Sequence, residues 1–93
     1  MELFEQFGQI QEKIKDLQRQ LAQLNVTKET GAGLVKATVN GNKQLLSISI
    51  DEVLLHPKDR VMLQDLIVAA VNAALEEVDQ HTQEAIQKNA INL

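Results

Sequence analysis

The sequence of 93 residues has no cysteine, tryptophan or tyrosine, and its only aromatic residues are Phe4 and Phe7. The absence of cysteine excludes a disulfide framework and a thiolate metal site, and it fits a reducing compartment. No apolar run approaches the roughly 18 residues of a membrane span, and the start lacks the basic segment of a signal peptide. We therefore expect a cytoplasmic protein that does not enter a membrane.

Basic residues are also scarce, because nine Lys and Arg stand against thirteen Asp and Glu, for a formal net charge of −4. Such a chain repels nucleic acid at long range unless its cations are segregated on one face. The distribution of charge therefore matters more for function than its total.

Patterns typical of catalysis are missing as well. Gly31-Ala32-Gly33 leads into a strand pattern rather than a helix, which favours a turn over a phosphate-binding loop. His81 has Glu77 and Glu84 within one helical turn, an arrangement that could form a weak surface metal site, but no HExxH-like spacing accompanies it. No nucleophile and base are paired in the sequence. We predict a protein that is not an enzyme and that binds no metal, cofactor or small-molecule substrate.

The strongest positive feature is an apolar repeat in the first quarter of the chain. Its members recur at alternating steps of four and three residues, and they are Leu3, Phe7, Ile10, Ile14, Leu17, Leu21 and Leu24. This spacing aligns them along one stripe of a helix, the a/d seam of a coiled coil. It predicts a partly projecting helix over residues 2–25 whose seam packs on the C-terminal helix or on a second copy.

The middle of the chain changes to a period of two. Residues 26–30 form a possible edge strand, and residues 35–39 and 46–50 alternate between apolar and polar side chains. Asn40-Gly41-Asn42-Lys43 is a strong turn signal between the last two strands. The pattern predicts a three-stranded antiparallel meander with helix on one side only, followed by a short helical turn that Asp51 caps.

The pattern is helical again from Lys58 to about Lys88. The broad apolar face of its first half consists of Leu63, Leu66, Ile67, Ala70, Val71, Ala74, Leu75 and Val78. Beyond Val78 this face thins to Ala85 and Ile86, so the second half is either exposed or covered by another subunit. Together these patterns predict an α+β protein with the order helix, three-stranded antiparallel sheet, helix, in a single domain over residues 1–93.

The charges of the first helix allow two interpretations. Lys15 and Arg19 share its outer face, and Lys13 flanks the seam. Glu12 and Asp16 lie three residues before Lys15 and Arg19 and can pair with them, so the spacing alone favours a solvated face. The alternative is a set of phosphate contacts.

Two segments resemble the YbaB/EbfC family of bacterial nucleoid-associated proteins. The first is Thr30-Gly31-Ala32-Gly33-Leu34-Val35-Lys36-Ala37-Thr38-Val39-Asn40-Gly41, continued by Ile48-Ser49-Ile50-Asp51 and Leu54-Leu55. The second is Met62-Leu63-Gln64-Asp65-Leu66-Ile67-Val68-Ala69-Ala70-Val71-Asn72-Ala73-Ala74. The resemblance extends over nearly the whole chain. It implies an α-β-β-β-α protomer, a homodimer with projecting helices, and binding of duplex DNA by those helices.

We therefore predict a homodimeric protein of the nucleoid that binds double-stranded DNA with little sequence preference and influences nucleoid organisation and gene expression. The predicted DNA contacts are the cations Lys13, Lys15 and Arg19, the amides Gln11, Gln18 and Gln23, and, to a lesser extent, Lys88. The predicted dimer interface comprises Ile10, Ile14, Leu17, Leu21, Val78 and Ile86.

The last helix supports an alternative function. Its second half carries Glu76, Glu77, Asp79 and Glu84, where many members of the family have Lys or Arg. In this alternative the protein is a dimeric scaffold that uses the acidic helix to contact a basic protein partner.

Overall fold

The computed structural model describes residues 2–88, so residue 1 and residues 89–93 of the predicted domain lie outside it. The main elements are α1 (Glu2–Gln23), β1 (Asn25–Thr30), β2 (Val35–Asn40), β3 (Leu45–Ile50) and α2 (Arg60–Lys88). Two short 3₁₀ turns, at Glu52–Leu54 and Pro57–Asp59, connect β3 to α2. The predicted α+β class and the order of its elements are confirmed.

The sheet is the predicted antiparallel meander, with strand order β1-β2-β3. Its register places Asn25 opposite Asn40 and Val35 opposite Ile50. Asn25 is therefore already part of β1, and α1 ends two residues earlier than the repeat predicted. A bulge interrupts the second pairing, because Ser47 pairs with Thr38 but Leu45, not Leu46, pairs with Val39.

The core lies between one face of the sheet and α2. Val35, Ala37 and Val39 of β2 are completely buried, whereas the alternating side chains of that strand are partly or fully exposed. Ala70 and Ala74 of α2 are also completely buried, and their small side chains let the helix approach the sheet closely. Each valine buried in this way contributes about 1.5–3 kcal/mol of transfer free energy. This packing confirms the predicted apolar face of α2.

Local signals shape the two short turns that connect β3 to α2. The carboxylate of Asp51 accepts a hydrogen bond from the backbone N–H of Val53 at 2.9 Å, so the predicted cap is present. Pro57 occupies the first position of the second 3₁₀ turn, where its missing N–H costs no hydrogen bond. Within residues 2–88, neither helix combines the length and the apolarity that crossing a membrane requires.

The seam of α1 is covered only near its C-terminal end. The structure describes its side chains from Phe7 onward; Leu3 lies outside that part. Leu17 is 6% exposed, whereas Ile10 is 52% exposed, because the helix, about 33 Å long, extends beyond the sheet. The described chain measures 67 × 17 × 16 Å. A large part of α1 therefore projects, as its length predicted.

Candidate nucleic-acid interface

The outer face of α1 carries an exposed polar stripe on the side away from the seam. Lys15, Gln18, Arg19 and Ala22 fall on it at helical spacings of three and four residues, and all four are exposed. Arg19 Nη1 lies 3.2 Å from Asp16 Oδ1. This is one of the two pairings that the spacing predicted, but its side chains are 75% and 60% exposed. Exposed pairs of this kind contribute little stability, so Arg19 can exchange Asp16 for a phosphate at low cost.

The turn between β2 and β3 lies beside this stripe and is held by the side chain of Asn40. Its Oδ1 accepts hydrogen bonds from the backbone N–H groups of Asn42, at 2.9 Å, and Gln44, at 3.0 Å. Its Nδ2 donates to Gln44 Oε1 at 2.8 Å. The backbone of Lys43 is left-handed, with φ of 63°. Asn40 therefore fixes the turn and leaves the side chain of Asn42 exposed.

Gly41 joins this turn to α1. Its N–H donates to the carbonyl oxygen of Leu24 at 3.0 Å. A Cβ atom at this position would overlap the backbone carbonyl group of Leu21. Only glycine allows the two backbones to come this close, so Gly41 sets the position of α1 relative to the sheet.

The junction creates an open groove of about 510 Å³ between α1 and the turn, which we call the basic groove. Its lining residues are Lys15, Gln18, Arg19, Ala22 and Asn42. In the part of the chain that the structure describes, this lining includes two cations and two amides but no carboxylate. Cations and amide N–H groups are the donors that proteins direct at phosphate oxygens.

Sequence reasoning missed Asn42 as a site residue. The Asn-Gly-Asn signal predicted the turn correctly, but it carries no information about which helix packs against that turn. Of the other predicted DNA contacts, Gln11, Lys13 and Gln23 are exposed on α1, and Lys88 is exposed in the last turn of α2. The structure thus brings Lys15, Gln18 and Arg19 together with Asn42 and leaves Lys88 on another element.

The second half of α2 carries several carboxylates. Lys28 Nζ lies 2.7 Å from Glu77 Oε1, and Lys43 is paired with Asp79. The hydrogen bond from Lys28 lowers the pKa of Glu77, against a smaller opposing effect of desolvation. A second groove, of about 240 Å³, lies at the pair of Lys28 and Glu77. We call it the acidic groove, and its lining residues are Lys28, Ala73, Glu76, Glu77 and Gln80. Lys28 and Lys43 are therefore both paired with carboxylates of α2.

His81 lies between two of these carboxylates. Its Nε2 is 4.0 Å from Glu77 Oε2, and its Nδ1 is 3.9 Å from Glu84 Oε2. Both distances exceed those of a hydrogen bond. Over residues 2–88, His, Asp and Glu side chains nowhere form a group of three or more that could hold a metal ion.

The residues predicted at a dimer interface have different environments. Leu17 and Val78 are buried within the protomer, where they stabilise the fold of a single chain. Ile14, Leu21 and Ile86 are partly buried, and Ile10 is exposed. A further set of exposed apolar side chains comes from β3, the connection after it and α2. We call this set the apolar flank: Leu46, Val53, Leu55, Val61, Met62 and Val68.

Comparison with known proteins identifies the family. The model of the YbaB/EbfC DNA-binding family matches residues 1–93. The chain belongs to this family. It is 44% identical over 89 residues to a nucleoid-associated protein of Chlorobium luteolum, which covers 96% of this chain and 80% of that protein. It is equally identical, over 89 residues, to a nucleoid-associated protein of Chlorobaculum tepidum, covering 96% of this chain and 78% of that one.

A solved structure supports the fold independently. An uncharacterized protein from Helicobacter pylori superposes with a TM-score of 0.72, covering 84% of this chain and 90% of that protein. The two sequences are 22% identical, so this likeness concerns the fold alone. The predicted membership of the YbaB/EbfC family is confirmed by the family match and by the relatives.

Proposed function

We propose that this protein acts in the bacterial cytoplasm as a homodimer that binds duplex DNA of the nucleoid with little sequence preference. The observation that carries the proposal is the basic groove, whose lining combines the exposed cations Lys15 and Arg19 with two amides and includes no carboxylate, on a chain of net charge −4. Asp16 reaches Arg19 from outside this lining. Membership of a DNA-binding family supports it. The role is one of binding rather than catalysis.

The chemistry of the groove explains the low sequence preference. Lys15 and Arg19 can neutralise phosphates and release the counterions condensed on DNA, which is a sequence-independent source of affinity. Gln18 and Asn42 add hydrogen bonds that position the backbone of the duplex. Contacts of this type fix where the protein sits but do not read bases.

The apolar flank supports self-association. β3 pairs with β2 along one edge, and within residues 2–88 its other edge carries no strand. The strand sequence, Leu-Leu-Ser-Ile-Ser-Ile, contains no charge. An uncharged, apolar edge is a site of association unless something covers it. A second copy covers it with an identical surface in a two-fold dimer, which also doubles the number of basic grooves.

Dimerisation is tested by placing a carboxylate in the apolar flank. We expect Leu46→Asp to raise the dissociation constant of the dimer at least about a hundredfold, because an unpaired buried charge costs about 3 kcal/mol or more. The control is Ser47→Asp, an exposed neighbour in the same strand. Ile10→Asp tests the projecting part of the seam. Sedimentation velocity would contradict the proposal if the wild type were a monomer at micromolar concentration.

DNA binding is tested by a salt titration with random-sequence duplex. Two copies of Lys13, Lys15 and Arg19 can engage about four to six phosphates, so log affinity should fall with log salt with a slope near −4 to −5. Lys15→Ala/Arg19→Ala should flatten this slope and weaken all sequences about equally. The matched control is Lys58→Ala/Arg60→Ala, which removes one exposed Lys and one exposed Arg at the start of α2.

The acidic groove favours a second candidate function. Its Glu76 is exposed and its Glu77 is partly exposed, and Asp79, two residues after Glu77, is exposed as well. This acidic surface suits a basic protein partner. In this case the wild type would fail to bind duplex even at about 50 mM salt, where phosphate contacts are strongest. That result would replace DNA binding by the scaffold function.

A further inference from the structure

We propose that the turn between β2 and β3 is a second DNA-contacting element, and that Asn42 donates its side-chain amide to a backbone phosphate held in the basic groove. This inference rests on the proposed DNA binding and extends it from the first helix to the sheet. It assigns to Asn42 one phosphodiester group of the strand that lies in each groove, between α1 and the turn.

The side chain of Asn42 is available for this role. Asn40, not Asn42, supplies the side-chain oxygen and amide that hold the turn. Asn42 takes part through its backbone N–H, and its side chain is exposed where the groove opens. An asparagine side chain offers two N–H donors, and a phosphate in the groove provides the acceptors.

The groove is also held in place before DNA arrives. Gly41 fixes the turn against the end of α1 through its hydrogen bond to Leu24 and its close approach to Leu21. On the other side of the turn, Lys43 is paired with Asp79 of α2. Because the backbone contact at Gly41 holds the turn against α1, the donors of the two elements need little rearrangement to reach one DNA strand.

The charge around the groove favours an anion over a cation or a neutral ligand. Lys15 and Arg19 are the titratable residues in its lining. Glu12 and Asp16 line a neighbouring groove on α1 together with the same two cations, and Asp16 reaches Arg19 through an exposed pair. All the donors lie at the surface, as a continuous phosphodiester backbone requires, since a strand must enter and leave the groove.

The test is the affinity of the full-length protein for random-sequence duplex when the charge at position 42 changes. We expect Asn42→Asp to weaken binding at least about fivefold, the effect of one like charge at contact distance in water. Asn42→Lys should tighten binding and steepen the salt slope by about 0.9 for each added phosphate contact, or about 1.8 per dimer. Thermal melting checks that both variants fold.

The matched controls are Gln80→Glu and Gln80→Lys, which change an exposed amide in the acidic groove by the same charges. Equal effects at positions 42 and 80 would show a response to net charge alone and would overturn the assignment. If the wild type bound duplex and both Asn42 variants bound it with the same affinity, the turn contact would be overturned but the proposed function would stand. A wild type that does not bind duplex would overturn both.

Free phosphate is the other possible source of the anion. Titration of the wild type with inorganic phosphate, at constant ionic strength, should give no saturable binding, because a single exposed phosphate gains too little from solvent-exposed donors. Saturable binding that Asn42→Asp abolishes, with unchanged affinity for duplex, would assign the groove to a free anion and overturn the proposal.

Discussion

The C-terminal half of α1 and the C-terminal half of α2 use their charges in opposite ways. On α1, Lys15 and Arg19 face a groove whose lining includes no carboxylate, although Arg19 also pairs with Asp16. Near α2, Lys28 and Lys43 are each paired with a carboxylate of that helix. The net charge of −4 therefore describes neither region, because the second half of α2 holds four carboxylates and one cation, Lys88, whereas the lining of the basic groove holds two cations and no carboxylate.

The turn between β2 and β3 is the boundary between these two regions. Asn42 faces the basic groove, and the next residue, Lys43, is paired with Asp79 of α2. The left-handed backbone at Lys43 redirects the chain at this point. Substitutions at or near the turn can therefore disturb its contact with α1 or release Lys43 from α2.

The largest expected effect comes from a substitution at Gly41 that forces the turn away from α1. Gly41→Ala should destabilise the protein by about 1–3 kcal/mol, the range for forcing a methyl group into a filled position, because its Cβ overlaps the backbone of Leu21. Duplex affinity should fall with it as the basic groove loses one wall. Denaturant unfolding and the duplex titration measure the two effects.

The matched control is Gly8→Ala, since a Cβ atom at Gly8 meets nothing within 4 Å. Alanine in a helix interior is favoured over glycine by about 0.5–1 kcal/mol, so this variant should be stabilised. If Gly41→Ala were as stable as the wild type, the close junction between α1 and the turn would be wrong.

A smaller effect is expected from releasing Lys43. Asp79→Asn removes its partner, so Lys43 can reach DNA and the salt slope should steepen by up to about 0.9 per protomer. Glu84→Gln is the control, because it removes the same charge from the same helix but its neighbour is His81. Both variants should gain some affinity from the lower negative charge, but only Asp79→Asn should change the slope. Equal slopes would contradict a role for Lys43.

The smallest effect concerns the pair between Lys28 and Glu77. Because the hydrogen bond from Lys28 lowers the pKa of Glu77 in the folded protein, ionised Glu77 stabilises the fold at neutral pH. That contribution is lost as the pH falls below about 4.5, through the lowered pKa. We expect Glu77→Gln to melt slightly below the wild type at neutral pH, and the difference to vanish in acid. A difference that persisted unchanged in acid would show that the pair is not its cause.

Local signals explain how much of the fold followed from the sequence. The alternation of β2, the cap at Asp51 and the apolar face of α2 each depend on neighbouring residues, so their patterns predicted them correctly. The bulge at Leu46 was not predicted, because it appears only when β3 pairs with β2. The repeat of α1 predicted a seam but not which part of it the same chain covers, since that depends on where the sheet ends.

The site was predicted less completely for the same reason. Lys15, Gln18 and Arg19 lie within two turns of one helix, and their spacing alone places them on one face. Asn42 joins them only through the contact between Gly41 and Leu21, residues that are 20 positions apart in the sequence. A single sequence contains no signal for that contact, so the fourth polar side chain of the groove became visible only in the structure.

The most direct test of the central claim is an NMR titration of the protein with random-sequence duplex, following backbone and side-chain amides of residues in both grooves. We predict the largest shifts at Lys15, Gln18, Arg19 and Asn42, with small shifts at Gln80 in the acidic groove. Shifts confined to Gln80 and its neighbours, or to the start of α2 at Arg60, would contradict the claim that the basic groove is where this protein holds DNA.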